Sequence, residues 1–174
     1  NDLMQQSGVK FGTSGARGLA ADMSDLVCYA YTAGFLQHAA EIGVVETGAE
    51  VALAGDHRPS TEAIMSACAR AARDLGYTPR NLGRIPTPAL AAFGIERGVP
   101  SLMVTGSHIP DDRNGIKFNL PSGEILKEDE AAIRAQEVRV PVALFGAGGA
   151  FVPGAANALP GADTKEPDQL GAIS

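Results

Sequence analysis

Residues 50–76 read Glu50-Val-Ala-Leu-Ala54, then Gly55-Asp56-His57-Arg58-Pro59, then Ser60-Thr-Glu-Ala-Ile-Met-Ser-Ala-Cys-Ala-Arg-Ala-Ala-Arg-Asp-Leu-Gly76. A short apolar run closed by a polar turn with Gly and Pro suits a buried strand and its exit loop. Ser60 is a favourable helix N-cap, and Glu62 complements the helix dipole in the first turn. Ile64, Cys68, Ala71, Ala72 and Leu75 then share one face, and Gly76 stands where a C-terminal cap belongs. The stretch predicts a strand, a loop and a helix in succession.

The same alternation continues on both sides. Towards the C-terminus, Asn81–Ile85 reads as a weaker strand. Thr87 can cap a helix with Pro88 in its first turn, running through Leu90, Phe93 and Ile95 to Gly98. Ser101–Thr105 is another apolar strand, followed by Gly106-Ser107-His108-Ile109-Pro110. Asp111–Gly115 reads as a polar turn, Ile116–Asn119 as a returning strand, Pro121–Gly123 as a turn and Lys127–Val138 as a charged helix. Towards the N-terminus, Leu26, Tyr29, Ala30, Ala33, Leu36 and Ala40 recur at helical spacing from Ser24, with Gly43 as the stop. Residues 9–18 read as a glycine-rich loop with many backbone donors. Strands alternating with helices predict an α/β domain with a mostly parallel mixed sheet and helices on both faces. We expect this domain over residues 1–143. Residues 144–174, dense in Gly, Ala and Pro, read as a linker or the start of a missing second domain.

Composition narrows the function. The 174-residue chain carries a net charge of −6, which argues against a general nucleic-acid binder. Aromatic residues make up only 5% and Trp is absent, so a stacking platform for single strands is not expected. At 45% apolar residues the chain can build a core. No apolar run is long enough to span a membrane, so no membrane partner is expected. Asn1-Asp2-Leu3-Met4 lacks the basic-then-apolar pattern of a secretory leader, and the first residue is not Met; a trimmed, cytoplasmic chain is the expectation. Cys28 and Cys68 fall in helix-like stretches and read as two buried, reduced thiols.

Ligands of open α/β sheets gather at the carboxyl ends of strands. Three loops read as following strands, 12–18, 55–59 and 105–110, and could line one cleft. Ser107 sits just past a buried strand beside Gly106, which suits a hydroxyl that binds or accepts a phosphoryl group among free backbone amides. It could equally cap a turn. A serine hydrolase is a weaker reading, because His108 is the adjacent residue and no Gly-x-Ser-x-Gly elbow occurs. Lys117, between Ile116 and Phe118, should emerge on the face opposite them, where it could meet a phosphate or move a proton. Arg17 could hold a phosphate with two parallel hydrogen bonds. Asp56 and Arg58 are expected to pair or to close a turn. His38 and His57 lack partners at ligand spacing, and the adjacent Asp111 and Asp112 do not converge as magnesium ligands.

Phe11-Gly-Thr-Ser-Gly-Ala-Arg-Gly18, Pro86-Thr-Pro88 and Thr105-Gly-Ser-His-Ile-Pro110 followed by Asn114-Gly-Ile-Lys117 together resemble the α-D-phosphohexomutases. The family includes phosphomannomutases, phosphoglucomutases and phosphoglucosamine mutases. The motifs stand in the family's order over about residues 9–138 and correspond to the first of four domains. The resemblance implies a metabolic isomerase that interconverts hexose 1-phosphates and 6-phosphates. Ser107 would be the phosphoserine, and a hexose 1,6-bisphosphate the intermediate and activator. Lys117 would be the proton-transfer group, with Arg17 and His108 in the catalytic set. Thr13, Ser14, Arg17, His108 and Lys117 would bind the hexose phosphate substrate. Mg²⁺ would be held through the phosphate on Ser107, its other ligands lying in the absent second domain. The serine loop has Gly106 and Ile109 where the family's commonest form has Ala and Asn. The family's magnesium, sugar and terminal phosphate loops are missing, so the chain alone is expected to be inactive without the remaining domains of the enzyme. The alternative is a phosphosugar-binding module without catalysis. An Asp-Gly-Asp-Gly-Asp type loop in the frame beyond residue 174 would separate the two.

Overall fold

The computed structural model describes residues 4, 9–11, 15–106, 113–146, 149–152 and 160. Strand β3 (Glu50–Gly55), helix α2 (Thr61–Asp74), strand β4 (Thr78–Asn81), helix α3 (Thr87–Arg97) and strand β5 (Ser101–Val104) form the alternating half. Strand β1 (Lys10–Phe11), strand β2 (Gly15–Leu19) and helix α1 (Asp25–Glu41) precede them. Strand β6 (Arg113–Leu120), strand β7 (Gly123–Glu124) and helix α4 (Lys127–Ala135) follow.

The strands form one mixed sheet in the order β1-β2-β6-β5-β3-β4, with β7 alongside β6. β3 is parallel to both β4 and β5, while β6 lies antiparallel between β5 and β2. Four strands of the main path, β2, β5, β3 and β4, therefore run one way, and β1 and β6 run against them. The expected mostly parallel mixed sheet is found. Its parallel hydrogen bonding is confined to the β5-β3-β4 half.

Strand alternation sends side chains to two faces. Val51, Leu53, Leu102, Val104, Ile116 and Phe118 face the main core with Val27, Tyr31, Phe35 and Leu36 of α1 and with Ile64 and Met65 of α2. Phe35 and Phe118 meet with ring centroids 5.0 Å apart. Ala52, Ala54 and Met103 face the other way, against Leu90 and Phe93 of α3. Helices thus cover both faces. α1 is apolar almost all round because it is enclosed, with the sheet core on one side and both α2 and α4 beside it. At Gly34 the fit is tight: a Cβ there would lie 3.2 Å from the Ile133 carbonyl of α4.

Helix limits follow the sequence signals closely. Ser24 Oγ accepts from the Val27 amide, and Gly98 closes α3 in the left-handed conformation at φ 67°. Ser60 departs from expectation. Its backbone is helical (φ −83°, ψ −7°), so its side chain makes no cap and instead accepts from Asn114 Nδ2 at 2.8 Å.

Strand limits differ more. Residues 15–18, expected in a loop, belong to β2, held by pairing Gly15 with Lys117 through to Leu19 with Arg113. That pairing also makes Arg113–Gly115 strand rather than turn. The strand expected at 81–85 lies at Thr78–Asn81, because the register with β3 runs from Glu50–Thr78 to Leu53–Asn81. The last helix ends at Ala135 rather than Val138. Beyond it, Phe145 and Phe151 stack with centroids 5.1 Å apart, and Phe145 sits edge-on to Tyr29 of α1 at 5.6 Å. The Phe151 amide donates to Asp25 Oδ2 at 2.8 Å.

Candidate active site

The carboxyl ends of β3 and β5 lie at the sheet edge where β6 begins, since Gly55 pairs with Val104 and Val104 with Ile116. Asp56 leaves β3 at this edge and gathers hydrogen bonds at both carboxylate oxygens. Its Oδ1 takes the Thr61 hydroxyl at 2.8 Å and the Arg58 amide at 3.2 Å. Its Oδ2 takes the Gly106 amide at 3.0 Å and Arg58 Nε at 3.2 Å. Burial alone would raise the Asp56 pKa, but bonds from the Thr61 hydroxyl, the Gly106 and Arg58 amides and the Thr105 hydroxyl outweigh it and hold the carboxyl below its ordinary value. The expected Asp56–Arg58 pairing is thus present, and it reaches further than a turn.

Lys117 emerges on the face opposite the buried Ile116 and Phe118, as its place in the strand predicts. Its Nζ lies 3.6 Å from Glu124 Oε1 of β7. Arg17 shares that face. It lies in β2 rather than in a loop, and pairs in register with Gly115, two residues from Lys117. Diagonal neighbours of this kind lie within about 8 Å of each other. Each cation has a glycine opposite: Gly15 pairs with Lys117 and Gly115 with Arg17. A Cβ on Gly115 would come 2.9 Å from Arg17 Cγ, so the arginine stem lies across this glycine. The two basic side chains therefore stand over backbone, half-exposed, with no side chain between them from the paired positions.

Beside them, on the same face, a cleft of about 310 Å³ is lined by Asp56, His57, Arg84, Thr87, Met103 and Thr105, among others. Met103 is the register partner of Lys117, which places the cleft next to the two cations. The start of α3, in the Pro86-Thr-Pro88 motif, forms one wall. His57, set aside in the sequence for want of partners at ligand spacing, and Arg84, which the sequence did not single out, both line this cleft. Arg84 Nη2 lies 3.3 Å from Glu62 Oε2. His38, which lacked a partner in the sequence, is buried and lies 2.8 Å from Asp129 Oδ1, joining α1 to α4. Cys28 and Cys68 are free and buried, as expected. Burial pushes the Cys68 thiol up to about 12 and holds Cys28 well above its ordinary value.

Of the expected site residues, the structure brings Arg17 and Lys117 together. Thr13, Ser14, Ser107 and His108 lie outside the described residues, as do Asp111 and Asp112. Among the described residues no cluster of three or more His, Cys, Asp or Glu could hold a metal ion. These residues do not by themselves fit a resident Mg²⁺. No helix among them is long and apolar enough to cross a membrane.

Comparison with known proteins gives one consistent result. Residues 8–139 match the family described as phosphoglucomutase/phosphomannomutase, alpha/beta/alpha domain I. A phosphomannomutase of Salmonella muenchen is 51% identical over 132 residues, covering 76% of this chain and 27% of that protein. A phosphoglucosamine mutase of Hyphomonas neptunium is 36% identical over 138 residues, covering 78% of this chain and 30% of that protein. The crystal structure of a phosphoglucomutase/phosphomannomutase family protein from Burkholderia thailandensis superposes with a TM-score of 0.63 at 26% identity, over 74% of this chain and 29% of that one. The chain therefore spans under a third of the length of these relatives. Sequence motifs, superposition and matched residues agree: the chain belongs to the phosphoglucomutase/phosphomannomutase family and carries its domain I.

Proposed function

We propose that this domain carries the phosphoryl group of a phosphohexomutase that interconverts hexose 1-phosphate and 6-phosphate through a hexose 1,6-bisphosphate. The observation that carries the reading is the placement of Arg17 and Lys117 as diagonal neighbours on one open face, beside the sheet edge from which the Ser107 loop departs. Two cations over a glycine floor suit a phosphorylated sugar, because phosphoryl transfer depends on positioning and on positive charge near the phosphoryl oxygens. In the first half-reaction the bond between phosphorus and the Ser107 oxygen breaks as a bond to a sugar hydroxyl forms; in the second, the other phosphoryl group of the bisphosphate leaves its sugar oxygen as its bond to the Ser107 oxygen forms. In the first, the sugar hydroxyl loses its proton and the serine oxygen gains one, with Lys117 donating to the serine and recovering a proton from the sugar; in the second, the same proton moves run in reverse. Glu124 Oε1, 3.6 Å from Lys117 Nζ, gives the lysine a carboxylate neighbour on this face. Arg17 holds the substrate phosphate. Thr13, Ser14 and His108 complete the binding set in this reading.

Any Mg²⁺ would be held through the Ser107 phosphate and by ligands outside the described residues; no step above passes through it. The longer relatives support a further proposal, that turnover needs domains beyond this chain and that the 174 residues alone are inactive.

A phosphopeptide map of the full-length protein tests the reading, before and after incubation with a hexose 1,6-bisphosphate and Mg²⁺. Phosphate on Ser107 that is discharged by a hexose monophosphate is the expected result. A Ser107 that stays bare throughout overturns the mutase reading and leaves a phosphosugar-binding module.

A further inference from the structure

The segment from Asp56 to Thr61 touches both ends of the loop that leaves β5 and returns as β6. At the leading end, the Gly106 amide donates to Asp56 Oδ2 at 3.0 Å. At the returning end, Arg58 Nη1 donates to the Arg113 carbonyl at 3.4 Å, and Asn114 Nδ2 donates to Ser60 Oγ at 2.8 Å. The two ends are tied together through one arginine, since Arg58 Nε also donates to Asp56 Oδ2 at 3.2 Å. The Arg58 side chain is only 11% exposed.

The carboxylate divides its work. Oδ1 serves its own turn, accepting from the Arg58 amide and from Thr61 at the start of α2. Oδ2 faces away from that turn, towards Gly106 and the guanidinium. The β3–α2 turn could close with Oδ1 alone. The second oxygen and the long reach of Arg58 extend the turn's contacts to the β5–β6 connection.

Gly106 fits this arrangement sterically. A Cβ there would lie 2.1 Å from Arg58 Cζ and 2.2 Å from Nε, well inside contact distance. The guanidinium occupies the space that the alanine of the family's commonest serine loop would need.

We infer that Asp56 and Arg58 are positioning residues for Ser107: a clamp that fixes the residues flanking its loop, with the guanidinium seated against Gly106 where any side chain would displace it. The inference rests on the proposed role of Ser107. Group transfer is sensitive to the placement of the reacting atom, and a displacement of about 1 Å can cost on the order of a hundredfold in rate. Neither Asp56 nor Arg58 needs to touch substrate for this effect.

The test uses the full-length protein with α-D-glucose 1-phosphate and α-D-mannose 1-phosphate as substrates and a hexose 1,6-bisphosphate as activator. Gly106→Ala, Arg58→Ala and the double variant form a cycle. Gly106→Ala should lower kcat on the order of tenfold to a hundredfold with KM within about twofold. In the Arg58→Ala background the same alanine should have no further effect, because the group it displaces is gone. Additive losses, or a loss confined to KM, would overturn the clamp.

Asp56→Asn provides a readout independent of catalysis. Keeping Oδ1 on its turn sets an NH₂ group against the Gly106 amide and Arg58, donor against donor. Amide exchange at Gly106 should then quicken while α1 stays as protected as in the parent. Unchanged exchange at Gly106 would sink the clamp even in an active enzyme. An unmutated enzyme that never carries phosphate on Ser107 would instead sink the functional reading, and the exchange experiment would still decide whether Asp56 holds Gly106.

Discussion

Replacing Gly55 by alanine tests the packing beneath the site. Gly55 ends β3, one residue before Asp56, and is buried. A Cβ built there lies 2.3 Å from Thr61 Cγ2, 3.0 Å from Met65 Sδ and 3.3 Å from the Val104 carbonyl oxygen. Methionine can move aside by rotation about its flexible side chain. Thr61 cannot do so freely, because turning about its first torsion would carry its hydroxyl off Asp56, where it donates at 2.8 Å. Relieving a contact more than an ångström too short therefore means shifting the first turn of α2 or losing that hydrogen bond. Overpacking of this kind costs about 1–3 kcal/mol. For a domain of this size each kcal/mol lowers the melting temperature by about 2–4 °C. Gly55→Ala should therefore melt about 2–12 °C below the parent chain in a thermal scan followed by circular dichroism. Adding Thr61→Ser removes the offending methyl and keeps the hydroxyl, and should recover most of the loss. A Gly55→Ala variant as stable as the parent, or one that Thr61→Ser fails to rescue, would refute the reasoning.

Other outcomes follow from single contacts. Phe93 is fully buried and lies beneath the guanidinium groups of Arg80 and Arg97, at 5.3 and 4.7 Å, so Phe93→Ala should cost about 3–5 kcal/mol in denaturant unfolding. Tyr29→Phe removes the hydroxyl bond to Asp74 Oδ2 at 2.7 Å and should cost about 1 kcal/mol in the same assay. The Asp56 carboxyl titrates below its ordinary value, so its stabilising contribution is complete above the unfolded pKa of about 4 and fades as the pH falls through the folded value. The acid limb of the stability curve should therefore be shallower in Asp56→Asn, and parallel limbs would contradict that assignment. Cys28 and Cys68 should resist a thiol reagent until the chain unfolds, since both are buried and protonated at neutral pH; fast native labelling would argue against their placement.

Local chemistry made the helices legible. Ser24 caps through its own side chain, and Gly98 adopts the left-handed backbone that only glycine takes up cheaply. Strands with distant partners were harder to read. β2 is short and contains two glycines, and what makes it a strand is β6, about a hundred residues along the chain. β4 carries Pro79, which the sheet tolerates because β4 is its edge strand. The site divides the same way. Lys117 declared its face through Ile116 and Phe118. Asp56 looked like a turn residue, because the amide it holds at Gly106 is 50 positions away and leaves no trace in spacing.

The antiparallel seam between β2 and β6 also bears on the integrity of the site. The β3-to-β5 half closes through short connections, whereas the pairing of Gly15 with Lys117 joins positions about a hundred residues apart. Long-range closures of this kind carry the larger entropic cost. Arg17 and Lys117 face each other only across that seam. The cationic floor therefore exists only while that long-range seam is closed, and separating β2 from β6 would part its two cations.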